Sequence, residues 1–113
     1  MLISLSKRLF VFVLASSFLS SSAFAAKGIA RVIQTSSTQI ETFVFGDGPV
    51  SLVIAAGNGR PASQLESLAE AISSSGIRVV TYNYRTLGAS TGGIDGLTLH
   101  DYANDLWQVV EKL

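Results

Sequence analysis

Two glycine-framed loops in this 113-residue chain carry residues that could take part in nucleophilic chemistry. The first is Gly57-Asn58-Gly59, which ends the uncharged run from Val50 to Ala56. Glycines at such a place let the backbone turn sharply and let a ligand come close, with backbone N–H groups free to stabilise negative charge. Asparagine between glycines also suits a plain turn, so the loop reads both ways. The second is Gly88-Ala89-Ser90-Thr91-Gly92, a Gly-x-Ser-x-Gly spacing. That spacing activates a serine only on a strained turn running directly from a strand into a helix. Here Gly92-Gly93-Ile94-Asp95-Gly96 follows, where a helix is costly to start, and the next helix signal is Thr98. Ser90, Asp95 and His100 stand in the order Ser, Asp, His but too close together, since triad members come from the ends of different strands. His100, the single histidine, falls in the first turn of a helix and is expected to be solvated. No His/Asp/Glu cluster has metal-ligand spacing, and no phosphate-binding Gly-Lys-Ser/Thr loop occurs.

These loops need elements to hold them. Gly28–Gln34 reads as a strand and Thr35–Thr38 as a polar turn. Gln39–Phe45 alternates, with Ile40, Thr42 and Val44 on one face and Glu41, Phe43 and Phe45 on the other. Gly46–Pro49 is a tight turn, and the short connections favour antiparallel neighbours among the first three strands. Val50–Ala56 is apolar throughout, as suits a central strand buried on both faces. Ser63 with Glu66 has the spacing of a capping box, and Leu65, Leu68, Ala69 and Ile72 recur at helical intervals up to a stop at Gly76. Ile77–Tyr84 is the next strand, parallel to Val50–Ala56 because the helical crossover is long enough only for that. A glycine-rich loop, Arg85–Leu97, leads to a second capping box at Thr98 and Asp101. The helix that follows has a stripe of Leu99, Tyr102, Ala103, Leu106, Val109, Val110 and Leu113, with Trp107 at the edge of the core.

Composition sets the bounds. A 113-residue chain that is 48% hydrophobic suits one small domain, though the first segment inflates the figure. Met1–Ala25 has the parts of a secretory signal: Lys7-Arg8, an apolar run from Leu9, and the small-x-small pattern Ala23-Phe24-Ala25. Cleavage there leaves residues 26–113 with more acidic than basic residues and no basic patch, so nucleic acid is not an expected partner. The chain has no cysteine, which excludes disulfides and a lipidated cysteine at the cleavage site.

Taken together, Ala55-Ala56-Gly57-Asn58-Gly59, Leu68–Ile72, Gly76–Val80, Asn83–Ser90 and Leu97–Tyr102 stand in an order and at spacings that resemble the N-terminal part of the α/β-hydrolase superfamily, over about Gln39 to Leu113. The resemblance implies an α/β fold, with antiparallel strands leading into a parallel sheet with flanking helices, ending before the nucleophile elbow. It assigns the backbone N–H of Asn58 to the oxyanion hole and no catalytic side chain to this chain. It places Ser90 in the ordinary loop after the fourth strand, and it implies no metal and no cofactor. The pattern departs from the family at Ala56, where histidine is usual, at Asn83, where aspartate is frequent, and at Thr86, where glycine follows the arginine. In the complete enzyme the resemblance implies esterase, lipase or peptidase chemistry, or a relative with an aspartate nucleophile, on a small ester-like substrate. It also implies a fifth strand beside Val50–Ala56, contributed from beyond Leu113. The competing reading is a truncated or non-catalytic interaction protein of the same fold. No oligomeric state follows from the sequence.

The leader pattern predicts a periplasmic or secreted product, and N-terminal sequencing of that product is expected to begin at Ala26. Recovery of Met1 in a membrane fraction would instead identify the segment as an anchor.

Overall fold

The computed structural model describes residues 28–113; the leader expected at Met1–Ala25 lies outside them. Strand β1 spans Ile29–Gln34 and β2 Gln39–Phe45, joined by a turn in which Thr35 N–H donates to Thr38 O at 2.8 Å. Strand β3 is Ser51–Ile54, helix α1 Glu66–Ser73, strand β4 Arg78–Tyr82 and helix α2 Leu99–Glu111. The sheet order is β1-β2-β4-β3. β1 pairs antiparallel with β2, β2 antiparallel with β4, and β3 parallel with β4. The expected parallel pair is therefore present. β2 and β3, in contrast, are not neighbours despite their short connection, because β4 lies between them.

Alternation along β2 separates two small cores, as its sequence requires. Ile40 joins Val80, Tyr82 and Val109 beneath α2, with Val44 packed against them. Phe45 joins Val79 and Ala69 beneath α1, with Phe43 and Ile72 alongside. Gly76 ends the α1 segment at φ +84°, the left-handed conformation that glycine adopts without penalty.

The two capping boxes behave differently. At α2, Thr98 Oγ1 accepts from Asp101 N–H while the Asp101 carboxylate accepts from Thr98 N–H at 2.8 Å. The carboxylate also accepts from Thr98 Oγ1 at 2.9 Å, and the two bonds it accepts, from the backbone first and the hydroxyl second, hold the Asp101 carboxyl below its ordinary value of 3.8. A depressed carboxyl stabilises the fold at pH above the ordinary value and loses that contribution as pH falls below it. At α1 the expected box of Ser63 and Glu66 does not form. Ala62–Leu65 winds as a 3-10 turn after the extended Pro61, and no side chain caps it or α1. Ser63 thus sits inside the turn, past the N-cap position that Pro61 occupies. The N–H of Ala62 is bonded instead by Asn83 Oδ1, at 2.7 Å, from just beyond β4.

β3 is also less enclosed than its apolar run suggests. It forms one edge of the sheet, with Leu52 40% exposed and Val50 63% exposed. Each helix leaves an apolar residue on the same flank. On α1, Leu68 is exposed, and it lies nearly opposite around the helix from Glu66, which faces the β1 side. On α2, Gln108 reaches Ser36 on the β1–β2 turn, while Val110 lies exposed on the far side from it. Trp107 is exposed rather than set at the core edge. An uncharged apolar edge of this kind pairs with other chains. Residues 26–113 are expected to sediment as associated species, and Leu52→Lys, which places a charge on the edge, to shift them toward monomer. A stable monomer without the substitution would show the edge to be inert.

Candidate functional site

Beyond Ile54 the chain turns through Gly57-Asn58-Gly59-Arg60. Arg60 N–H donates to Gly57 O at 3.0 Å, and Gly59 has φ +73° while Asn58 keeps a negative φ. This is the pattern of a type II turn, with the glycine at the position that requires positive φ. Among the described residues the Asn58 N–H has no hydrogen-bond acceptor. The residue lines a cleft of about 140 Å³ whose other walls include Tyr84, Thr86, Leu87, Ile94 and Tyr102. The cleft thus lies where β3 and β4 deliver the chain at their C-terminal ends, the end of the sheet at which α/β proteins bind ligands.

Tyr84 and Tyr102 line the cleft, and the buried Tyr82 packs against Tyr84. Tyr82 and Tyr84 meet edge to face with centroids 5.3 Å apart, and Tyr84 and Tyr102 likewise at 5.5 Å. Tyr84 OH donates to Ala56 O at 2.7 Å and so ties the end of β3 to the segment after β4. Burial, with the neighbouring Tyr84 adding to it, pushes the Tyr82 phenol well above its ordinary range, so it stays neutral. Arg85 reaches α2 through a bidentate pair with Asp105, Nε to Oδ2 at 2.7 Å and Nη2 to Oδ1 at 2.9 Å. The pair is nearly enclosed, at 10% and 2% side-chain exposure, and the carboxylate bond holds the guanidinium above its ordinary value. Arg85 also donates to Ser37 Oγ at 3.0 Å, so one side chain joins the β1–β2 turn to α2.

Asn83 and Glu41 set the loop that follows. Asn83 Nδ2 donates to Glu41 Oε2 at 2.8 Å, and Ala89 N–H donates to the same oxygen at 2.8 Å. With Glu41 as neighbour, an ionised aspartate at position 83 would set two carboxylates together and could only accept, whereas the amide gives one hydrogen bond to Glu41 while taking another from Ala62. That is the structural reason for the departure at Asn83. Gly88, at φ +54°, packs against both side chains, which leaves no room for a Cβ.

Ser90 is 6% exposed, and its hydroxyl is committed to backbone. It donates to Asn83 O at 2.7 Å and accepts from Glu41 N–H at 2.9 Å. The serine therefore latches the loop onto β2, and neither of its partners is a base. His100 lies exposed in the first turn of α2, and Asp95 is exposed in the preceding loop. The glycine-framed serine motif thus serves as a fold latch, while Asn58 sits beside a cleft as its loop position suggests. Sequence reasoning missed the Glu41–Asn83 pair, whose members are 42 positions apart.

No protein-family model matches the chain, and no curated protein matches it in sequence. Its structure is similar to several solved ones. A thioesterase domain from the curacin biosynthetic pathway superposes with a TM-score of 0.67 at 19% identity over 76% of this chain and 33% of that one. Epoxide hydrolase A from Mycobacterium thermoresistibile gives 0.67 at 19% identity over 75% of this chain and 28% of that one. The Cif epoxide hydrolase from Acinetobacter nosocomialis gives 0.68 at 14% identity over 89% of this chain and 34% of that one. The described residues form the N-terminal part of an α/β-hydrolase fold. The chain spans about a third or less of the length of these structures.

Thr86, where the resemblance expects glycine, holds φ +69° on the rim of the cleft and is the only non-glycine with positive φ among the described residues. A β-branched residue is strained in that conformation. Thr86→Gly is expected to raise the unfolding free energy by about 1 kcal/mol, the relief of strain exceeding the added freedom of the unfolded chain. Chemical denaturation of the two proteins checks this, and a lower midpoint for the glycine variant would show that the threonine side chain is itself stabilising.

Proposed function

We propose that this chain is the exported N-terminal portion of an α/β-hydrolase that acts on a small molecule with an ester-like or similarly electrophilic centre. In this reading the reaction is nucleophilic attack, and the Asn58 N–H stabilises the negative charge that develops on the substrate oxygen. The nucleophile, acid and base come from residues outside this chain, since the hydroxyl of Ser90 is occupied and His100 lies apart in solvent. The observation that carries the reading is the Asn58 N–H, which has no acceptor among the described residues, on a residue that lines the cleft at the end of β3. The thioesterase and epoxide hydrolases of like fold favour a small-molecule substrate, and no metal or other cofactor is invoked.

The geometry offers a direct test. Asn58 is the second residue of a type II turn, where proline fits the backbone and removes only the N–H. In the complete enzyme, Asn58→Pro is expected to lower kcat about 100- to 1,000-fold with little change in KM, and Asn58→Ala to leave both near their starting values. Equal kcat for the proline variant would remove the N–H from the mechanism.

A second reading is a non-catalytic interaction protein of the same fold. The exposed apolar flank formed by Leu52, Leu68 and Val110 favours it. Sequencing the transcript past the Leu113 codon separates the two. The enzyme reading expects a short loop, an apolar strand and a Gly-x-Ser-x-Gly-like turn opening a helix, and a stop codon in the intact gene would favour the interaction protein.

A further inference from the structure

The sheet face that carries α1 holds a second cleft, which shares no lining residue with the one beside Asn58. Its floor is a cross-strand row in which Ala30 of β1 faces Phe43 of β2 and Phe43 faces Thr81 of β4. Phe45 closes one end, and Ala62, at the start of the 3-10 turn, lies above. The cleft measures about 180 Å³. That is of the order of the ~150 Å³ cavities that admit benzene inside proteins.

One atom on this floor is out of place in an apolar cleft. Thr81 is 1% exposed, and its Oγ1 is the one buried side-chain polar atom without a hydrogen-bond partner among the described residues. Buried hydroxyls almost always find a partner, because they have given up water to enter the fold. Valine would suit the same strand position and leave no orphaned donor. Thr81 therefore brings an unpartnered hydroxyl to the lining of a cleft otherwise walled by Phe43, Phe45, Gly28 and alanines. Ser63 and Glu66 stand at its mouth, both exposed. A carboxylate there repels anions as they enter.

We propose that this cleft binds a small neutral molecule made of one aromatic ring or short alkyl chain and one hydroxyl or carbonyl group. The apolar part lies against Phe43 and Phe45, and the polar atom completes the hydrogen bond of Thr81 Oγ1. The site is independent of the Asn58 loop and of any reaction there.

Phenol, benzene and benzoate are suitable probes of the purified chain, followed through backbone amide NMR shifts. Phenol is expected to move the amides of Ala30, Phe43 and Ala62 and to leave Asn58 and Thr86 in place. Benzene is expected to bind about tenfold more weakly, the loss of roughly one hydrogen bond, and benzoate more weakly than phenol. Thr81→Val keeps the strand's shape and is expected to erase the advantage of phenol over benzene. Ala30→Leu, which fills the cleft from exposed β1, is expected to abolish the shifts for every probe. The proposal is overturned if phenol binds no better than benzene to the unaltered chain, if Thr81→Val keeps that preference, if benzoate binds best, or if the shifts fall elsewhere.

Discussion

The carboxamide of Asn83 is the junction on which the upper end of this fold depends. Its oxygen holds the first N–H of the turn leading into α1, its nitrogen holds Glu41 on β2, and its backbone carbonyl holds Ser90. Three segments far apart in sequence therefore take their positions from one residue. Only a side chain with both a donor and an acceptor can do this beside a carboxylate. The enclosed setting raises the stakes, since a half-satisfied buried network is worse than none. Loss of the amide would release the start of α1 and the glycine loop together. The cleft beside Asn58 lies between those two segments, so its shape is a consequence of the same junction.

Local patterns in the chain describe local structure well. Alternation from Gln39 to Phe45 gives the strand and both of its faces, Gly76 ends its helix, and Thr98 with Asp101 makes a reciprocal cap. The Ser63–Glu66 pair fails by the same measure, because its letters match a cap while the backbone winds as a 3-10 turn. The true partner of that turn, Asn83, is 21 positions away and could not be found by spacing. The β1–β2 and β3–β4 pairs were legible, but the adjacency of β2 and β4 was hidden for the same reason. Short loops suggest adjacency, but β4 takes the place between β2 and β3. An apolar run likewise reports a strand without reporting what covers it, and β3 lies at an edge.

The two serine and asparagine loops show how the same residue types divide between roles. Gly88 and Gly92 both take positive φ around Ser90, yet the hydroxyl between them is committed to backbone groups on β2 and at the end of β4. Its spacing alone resembled a nucleophile, and what decides the matter is the absence of a helix immediately after it. Asn58 carries the opposite lesson, because its side chain is irrelevant to the role proposed for it. A backbone donor leaves no trace in residue identity beyond the glycines that shape the turn. Position 58 was therefore legible only through the order of the elements around it.

The placement of β4 between β2 and β3 has a consequence for the order of assembly. When the chain emerges from its N-terminus, β1 and β2 can close at once as a hairpin. β3 then appears with no strand to join. It waits while the α1 segment and Gly76 follow, until Arg78–Tyr82 arrives to pair with both sides. The register pairs Thr42 with Tyr82 and Ser51 with Arg78, so both ladders close over long stretches of chain. Closing such loops carries an entropy cost before any contact rewards it. Two of the sheet's three ladders are thus deferred to a single late strand, and during the delay the chain holds its most apolar strand unpaired. That interval, rather than the finished fold, is when a chaperone would have most to bind.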